Sequence, residues 1–162
     1  MRVYLPSGPR RLRDAVDSRE LGPAPLAGRA VTVDLRAVVG SDDEEELEYA
    51  AMGAASLDAV RLLVDDEPAV RVVVVAEVAD AVVRRTGEEA GAVVVDAAVP
   101  LRRVVAVHVD SDAASVAVAA ARDVPPGDAA EEEALERCLD HDLEWYAPSE
   151  VAVVLERWTP PR

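Results

Sequence analysis

One stretch constrains the fold more than any other. Between Val70 and Val78 the chain places Val70, Val72, Val73, Val74, Val75 and Val78, interrupted only by Arg71, Ala76 and Glu77. Side chains branched at Cβ lose rotamer freedom on a helix and pack well on a pleated surface, so the run predicts a buried strand. Strands are likewise predicted at Ala92 to Ala97 and Val104 to Val109, and the turns between the three suggest a meander of neighbours.

Arg2 to Leu5 forms a first strand stopped by Pro6, and Ser7-Gly8-Pro9 opens a helix through Leu21. After Gly22-Pro23-Ala24-Pro25, a strand is expected over Arg29 to Val33. Thr32 or Asp34 then caps a helical turn ended by Gly40, unless the strand continues through Val39. From Asp42 to Asp66 runs the clearest helix. Its first turn carries Asp42 to Glu46, where negative charge meets the positive end of the macrodipole. Leu47, Ala50, Ala54, Leu57, Val60 and Val64 recur along it at helical spacing. Ser111, with Asp110, caps a helix over Ala113 to Arg122, and Glu131 to Leu139 is helical. Pro148-Ser149-Glu150 restarts a last helix that Pro160 and Pro161 end, with a frayed tail over Thr159 to Arg162.

These elements predict a single domain spanning residues 1–162. Its class is α+β: a ferredoxin-like or related two-layer sandwich, with helices on one face of a mostly antiparallel sheet. Val3-Tyr4-Leu5-Pro6-Ser7 and Val107-His108-Val109-Asp110-Ser111 share a strand, serine and helix order, which leaves open two related halves. Ile and Phe are absent, so core volume must come from Val, Leu and Ala with a few aromatics.

All 17 basic residues are Arg, and the formal net charge is −15. The missing Lys, Asn, Ile and Phe belong to A/T-rich codons, which points to a G+C-rich source. So acidic a surface repels phosphates and anionic lipid, so neither nucleic acid nor membrane is expected as a partner. Without Lys there is no phosphate-binding P-loop, Schiff-base lysine or kinase ion pair. Gly87 and Gly91 lack the dinucleotide-binding spacing, and no Ser sits in a nucleophile elbow. No cofactor is expected. A lone Cys138 fits a reducing compartment, and the absence of a secretory or membrane-spanning apolar run makes the cytoplasm the expected location.

Two acidic segments echo one another, Glu45-Glu46-Leu47-Glu48-Tyr49-Ala50-Ala51 and His141-Asp142-Leu143-Glu144-Trp145-Tyr146-Ala147. Three of the chain's five aromatics lie in them. Amphipathic aromatics ringed by carboxylates suit an interface that draws a basic partner. The leading expectation is therefore a non-enzymatic interaction domain acting through the helices Asp42 to Asp66 and Glu131 to Trp158. Its contact residues are Glu48, Tyr49, Glu144, Trp145 and Tyr146, and its partner is a basic protein surface or a second copy in a homodimer.

Two rivals stand beside it. His108, Asp110 and Asp112 alternate along a strand, and together with His141 and Asp142 they could serve a metal-dependent hydrolase if the two histidine clusters converge. Cys138, His141 and Asp142 would also share one face of a continuous helix. The second rival is a DNA mimic, in which the acidic surface competes for a DNA-binding protein.

The opening Arg2-Val3-Tyr4-Leu5-Pro6 and the two echoing segments together resemble a family of small acidic proteins from actinobacteria, known only as a domain of unknown function. The resemblance spans nearly the whole chain. It implies a cytoplasmic protein of a high-G+C bacterium and brings no catalytic residues with it.

Overall fold

The computed structural model describes residues 1–158, so the expected stop at Pro160 and Pro161 and the frayed tail lie outside the described residues. The Val-rich run forms strand β4, Val72–Glu77, in the interior of a seven-stranded antiparallel sheet. Successive side chains on a strand point to opposite faces, and here both faces are covered. Val72, Val74 and Ala76 enter one core, while Val73 and Val75 enter another on the far side.

The first strand, β1 (Arg2–Ser7), pairs with β4 along its whole length, Arg2 opposite Glu77 through Ser7 opposite Val72. It leads into α1 (Pro9–Ser18), which ends earlier than expected because Arg19 turns left-handed and Glu20–Leu21 (β2) pairs with Val99–Pro100 (β7). Strand β3 is Leu26–Arg29, earlier than the predicted Arg29 to Val33. Thr32 is needed as a cap: its hydroxyl accepts from Leu35 N–H at 3.2 Å to start α2, Val33–Val39. Gly40 closes α2 at φ 71°, a left-handed conformation that suits glycine.

Helix α3, Glu44–Val60, begins two residues later than expected, because Asp43 caps it: its carboxylate accepts from Glu45 and Glu46 N–H. It stops short of Asp66. Three carboxylates in a row would crowd the negative end of the helix dipole. Glu67 instead accepts from Val64 N–H at 3.0 Å and from Arg10 N–H at 2.9 Å, thereby capping α1, which has no side-chain cap of its own.

The remaining elements are β5 (Val83–Arg85), β6 (Ala92–Val95), β8 (Val104–Asp110), α4 (Ser115–Asp123), α5 (Glu131–Leu139), β9 (Leu143–Tyr146) and α6 (Val151–Glu156). Sheet order is β5-β6-β3-β1-β4-β8-β9. The expected meander does not form. Both edges of β4 are taken, by β1 and β8, so β6 pairs with β3 further out. Ser111 makes no side-chain cap bond, and a 3-10 turn, Asp112–Ala114, precedes α4.

The class is thus the α+β arrangement that the sequence implies, an antiparallel sheet with helices packed on it. Helices cover both faces rather than one, as an interior strand apolar from Val72 to Ala76 requires. Leu12 and Ala15 of α1 join Val151, Val154 and Leu155 of α6 on one face. Leu35 of α2 and Leu47, Ala51 and Ala55 of α3 cover the other. A third cluster joins Val60 and Leu63 to Val118 of α4 and Cys138 of α5. Among the described residues no helix is long and apolar enough to cross a membrane.

The echo between the two acidic segments does not extend to structure. Leu47-Glu48-Tyr49 lies on a helix, whereas Leu143-Glu144-Trp145 lies on a strand. The helices that follow β1 and β8 pack in different clusters, so the halves are not matched.

Candidate groove between α3 and β9

Helix α3 buries Leu47 and Val60 as expected, but between them its core row is shifted by one residue. Leu47, Ala51, Ala55 and Ala59 face the core, while Ala50, Ala54 and Leu57 are only partly covered and border a groove. The opposite wall comes from Leu139 at the end of α5, from His141 and Asp142 in the turn, and from Leu143 on β9. The space is about 540 Å³, with mainly apolar walls and Arg71 and Ser56 at its inner end.

Arg71 is the buried charge in the Val run, 1% exposed. An isolated buried cation is too costly to keep, so it requires a partner. Its partner is Asp110, also 1% exposed, at the end of β8. Arg71 Nη2 donates to Asp110 Oδ1 at 2.7 Å, and Nε donates to the same carboxylate. The Arg71 backbone N–H donates to Oδ2 at 2.6 Å. Nη2 also donates to the His141 carbonyl at 2.9 Å, and Nη1 to Ser56 Oγ at 3.3 Å. One side chain thus ties α3, β8 and the α5–β9 turn together.

Asp110 therefore neither caps the following helix nor stands free for a metal. Asp112 lies outside, bonded to Arg157 Nη2 at 3.0 Å. His141 contributes its carbonyl to Arg71, and Asp142 stands at the groove's rim. The helical trio is not formed either, because α5 ends at Leu139. Cys138 is buried, and that burial raises its thiol pKa. Among the described residues, no three His, Cys, Asp or Glu side chains are grouped to hold a metal ion.

Strand β9 splits the expected contact residues between two faces. Leu143 and Trp145 face the α3 side, with Trp145 opposite His108 on β8. Tyr146 packs against the other core, and its hydroxyl donates to Glu144 at 2.7 Å and accepts from Arg157 at 3.0 Å. Hydrogen bonding to Glu144 raises the Tyr146 pKa. On α3, Glu48 accepts two bonds from Arg2 Nη1, at 2.8 and 2.9 Å, while Tyr49 projects outward, 63% exposed. Trp145 is 59% exposed. Tyr49 and Trp145 are the two strongly exposed aromatics among the described residues.

Beside Trp145 a second depression of about 260 Å³ has Val75 and Ala106 among its walls, with Tyr4, Glu48 and His108 around them. Burial holds the His108 pKa below its ordinary value of 6.5. The unfolded chain therefore binds a proton that the native protein resists. Stability is full above pH 6.5 and falls as pH drops through the lower native value. Urea midpoints measured from pH 7.5 to about 5 should show that fall, and His108→Gln should flatten it.

Sequence reasoning passed over Arg71 and Gly53. A single Arg inside a Val run was the available signal for the first. Gly53 lies in mid-α3, where glycine costs about 1 kcal/mol relative to Ala. A Cβ placed there would meet nothing within 4 Å, and the residue borders the groove. Packing against the protein thus does not call for a glycine at this position.

Residues 1–155 match the model of DUF6912, a family of unknown function. The chain belongs to that family. The match runs from the first strand into α6, so the family embraces the whole sheet and both walls of the groove. Neither the curated proteins nor the solved structures include a match to the chain.

Proposed function

We propose that this domain is a non-enzymatic interaction module of the cytoplasm that receives a partner protein with a basic surface on its α3–β9 face. The observation that carries this is the placement of Tyr49 and Trp145. In a chain with five aromatics, these two stand exposed, Tyr49 on the wall of an apolar groove bordered by Glu46 and Asp142, and Trp145 on the strand that gives the groove its Leu143. Exposed aromatics anchor interfaces, and carboxylates around them steer cationic partners. A second copy would bring the same acidic face and a further charge of −15, which favours a basic partner over a homodimer. The same repulsion disfavours nucleic acid.

A labelled amphipathic peptide with Arg on its polar face tests this by fluorescence anisotropy. It should bind with an affinity that falls as salt rises, and its counterpart with Glu in place of Arg should not bind. Tyr49→Ala and Trp145→Ala should each weaken binding about tenfold. Undiminished affinity in both variants contradicts the assignment.

A further inference from the structure

The geometry points to the groove over Arg71 as a binding site for a small, uncharged, apolar molecule carrying a carbonyl acceptor. This goes beyond the interaction of the domain with a protein partner and does not depend on it. A guanidinium has five N–H groups. Nε–H and one Nη2–H of Arg71 go to Asp110, the other Nη2–H to the His141 carbonyl, and one Nη1–H to Ser56 Oγ. Ser56 Oγ is itself turned to the Gly53 carbonyl, to which it donates at 2.7 Å. One Nη1–H therefore remains without an acceptor among the described residues, on a side chain that lines the groove.

Around that donor the walls are aliphatic, with Ala50, Ala54, Leu57, Leu139 and Leu143 among them, and a space of about 540 Å³ holds a small organic molecule. Charge decides the head group. Asp110 already neutralises Arg71, so a bound carboxylate would bury an uncompensated negative charge next to Asp110. An ammonium would meet a donor instead of an acceptor. A neutral carbonyl accepts the remaining N–H and adds no charge. Gly53 supplies an independent observation. Mid-helix glycine lowers helix stability, no neighbour crowds the position, and the residue lines the groove.

The test titrates the intact protein with 2-octanone, octanoate and octylamine, following the Leu139 and Leu143 methyl resonances and the Arg71 Nη resonances by NMR. 2-Octanone should move both sets saturably, with octanoate and octylamine at least about tenfold weaker. Gly53→Leu should abolish 2-octanone binding while leaving the protein at least as resistant to urea, since Leu is the better helix former. Octanoate or octylamine binding as well as the ketone overturns the choice of head group. Full 2-octanone binding by Gly53→Leu overturns the location. If 2-octanone leaves every resonance unmoved while Gly53→Leu loses the Arg-bearing peptide, the groove is the partner's anchor site and the small-molecule site is refuted.

Discussion

Arg71→Met is expected to destabilise the protein by about 3–5 kcal/mol, because it leaves the Asp110 carboxylate buried and unpaired. The loss comes from what remains as much as from what is removed. Asp110 keeps its bond from the Arg71 backbone N–H, which is independent of the side chain, but it loses the guanidinium. The His141 carbonyl loses its donor at the same time, so the α5–β9 turn loosens. Adding Asp110→Leu should recover most of the stability, since replacing both ions of a buried pair by apolar groups is commonly neutral or favourable. Urea denaturation at fixed m measures both variants. A single-variant loss below about 1 kcal/mol would show that the pair is solvated and not a keystone.

Tyr4→Ala should cost about 3–5 kcal/mol, as other large aromatic deletions do. Tyr4 is 4% exposed and packs with Leu47, Ala51, Val73 and Val75 beneath α3. Valines and alanines are short, and the ring fills volume that they cannot reach by rearranging. In a domain of this size each kcal/mol lowers the melting temperature by about 2–4 °C, so the shift is easily read by calorimetry. Tyr4→Phe removes only the hydroxyl, which faces Glu48, and should cost about 1 kcal/mol. Equal losses in the two variants would mean that the hydroxyl and not the ring carries the stability.

The parts legible in the sequence are those fixed by local physics. Consecutive valines select a buried strand, Asp43 with the acids after it starts α3, and Thr32 with Gly40 brackets α2. What stayed hidden depends on pairing across long separations. Arg71 and Asp110 are 39 residues apart, and nothing at Asp110 marks it for an ion pair rather than a helix cap. Leu143-Glu144-Trp145-Tyr146 is too short to declare a period, and only its pairing with Val107 to Asp110 makes it a strand. That pairing sends Trp145 to the α3 side and Tyr146 to the opposite core. Of the five contact residues expected, Tyr49 lies exposed at the groove and Trp145 lies exposed at the second depression, which Glu48 also lines while engaged by Arg2. Glu144 and Tyr146 bond to one another and to Arg157 on the far side.

The helical reading of α3 placed Ala50, Ala54 and Leu57 in the core because spacing alone cannot tell a buried row from one that lines a groove. The difference lies in what sits opposite, here β9 and the turn before it. An apolar row next to a core stripe widens a helix's hydrophobic face without betraying which part stays open.

Mapping the contact surface by NMR is the most direct measurement. Amide and side-chain shifts would be followed through a titration with the Arg-bearing amphipathic peptide at low salt. The largest changes are expected along α3 from Glu46 to Leu57 and on β9 at Leu143 and Trp145, including the Trp145 indole N–H. Changes centred on α1, α6 or the β2–β7 ribbon, with Tyr49 and Trp145 unmoved, would contradict the account.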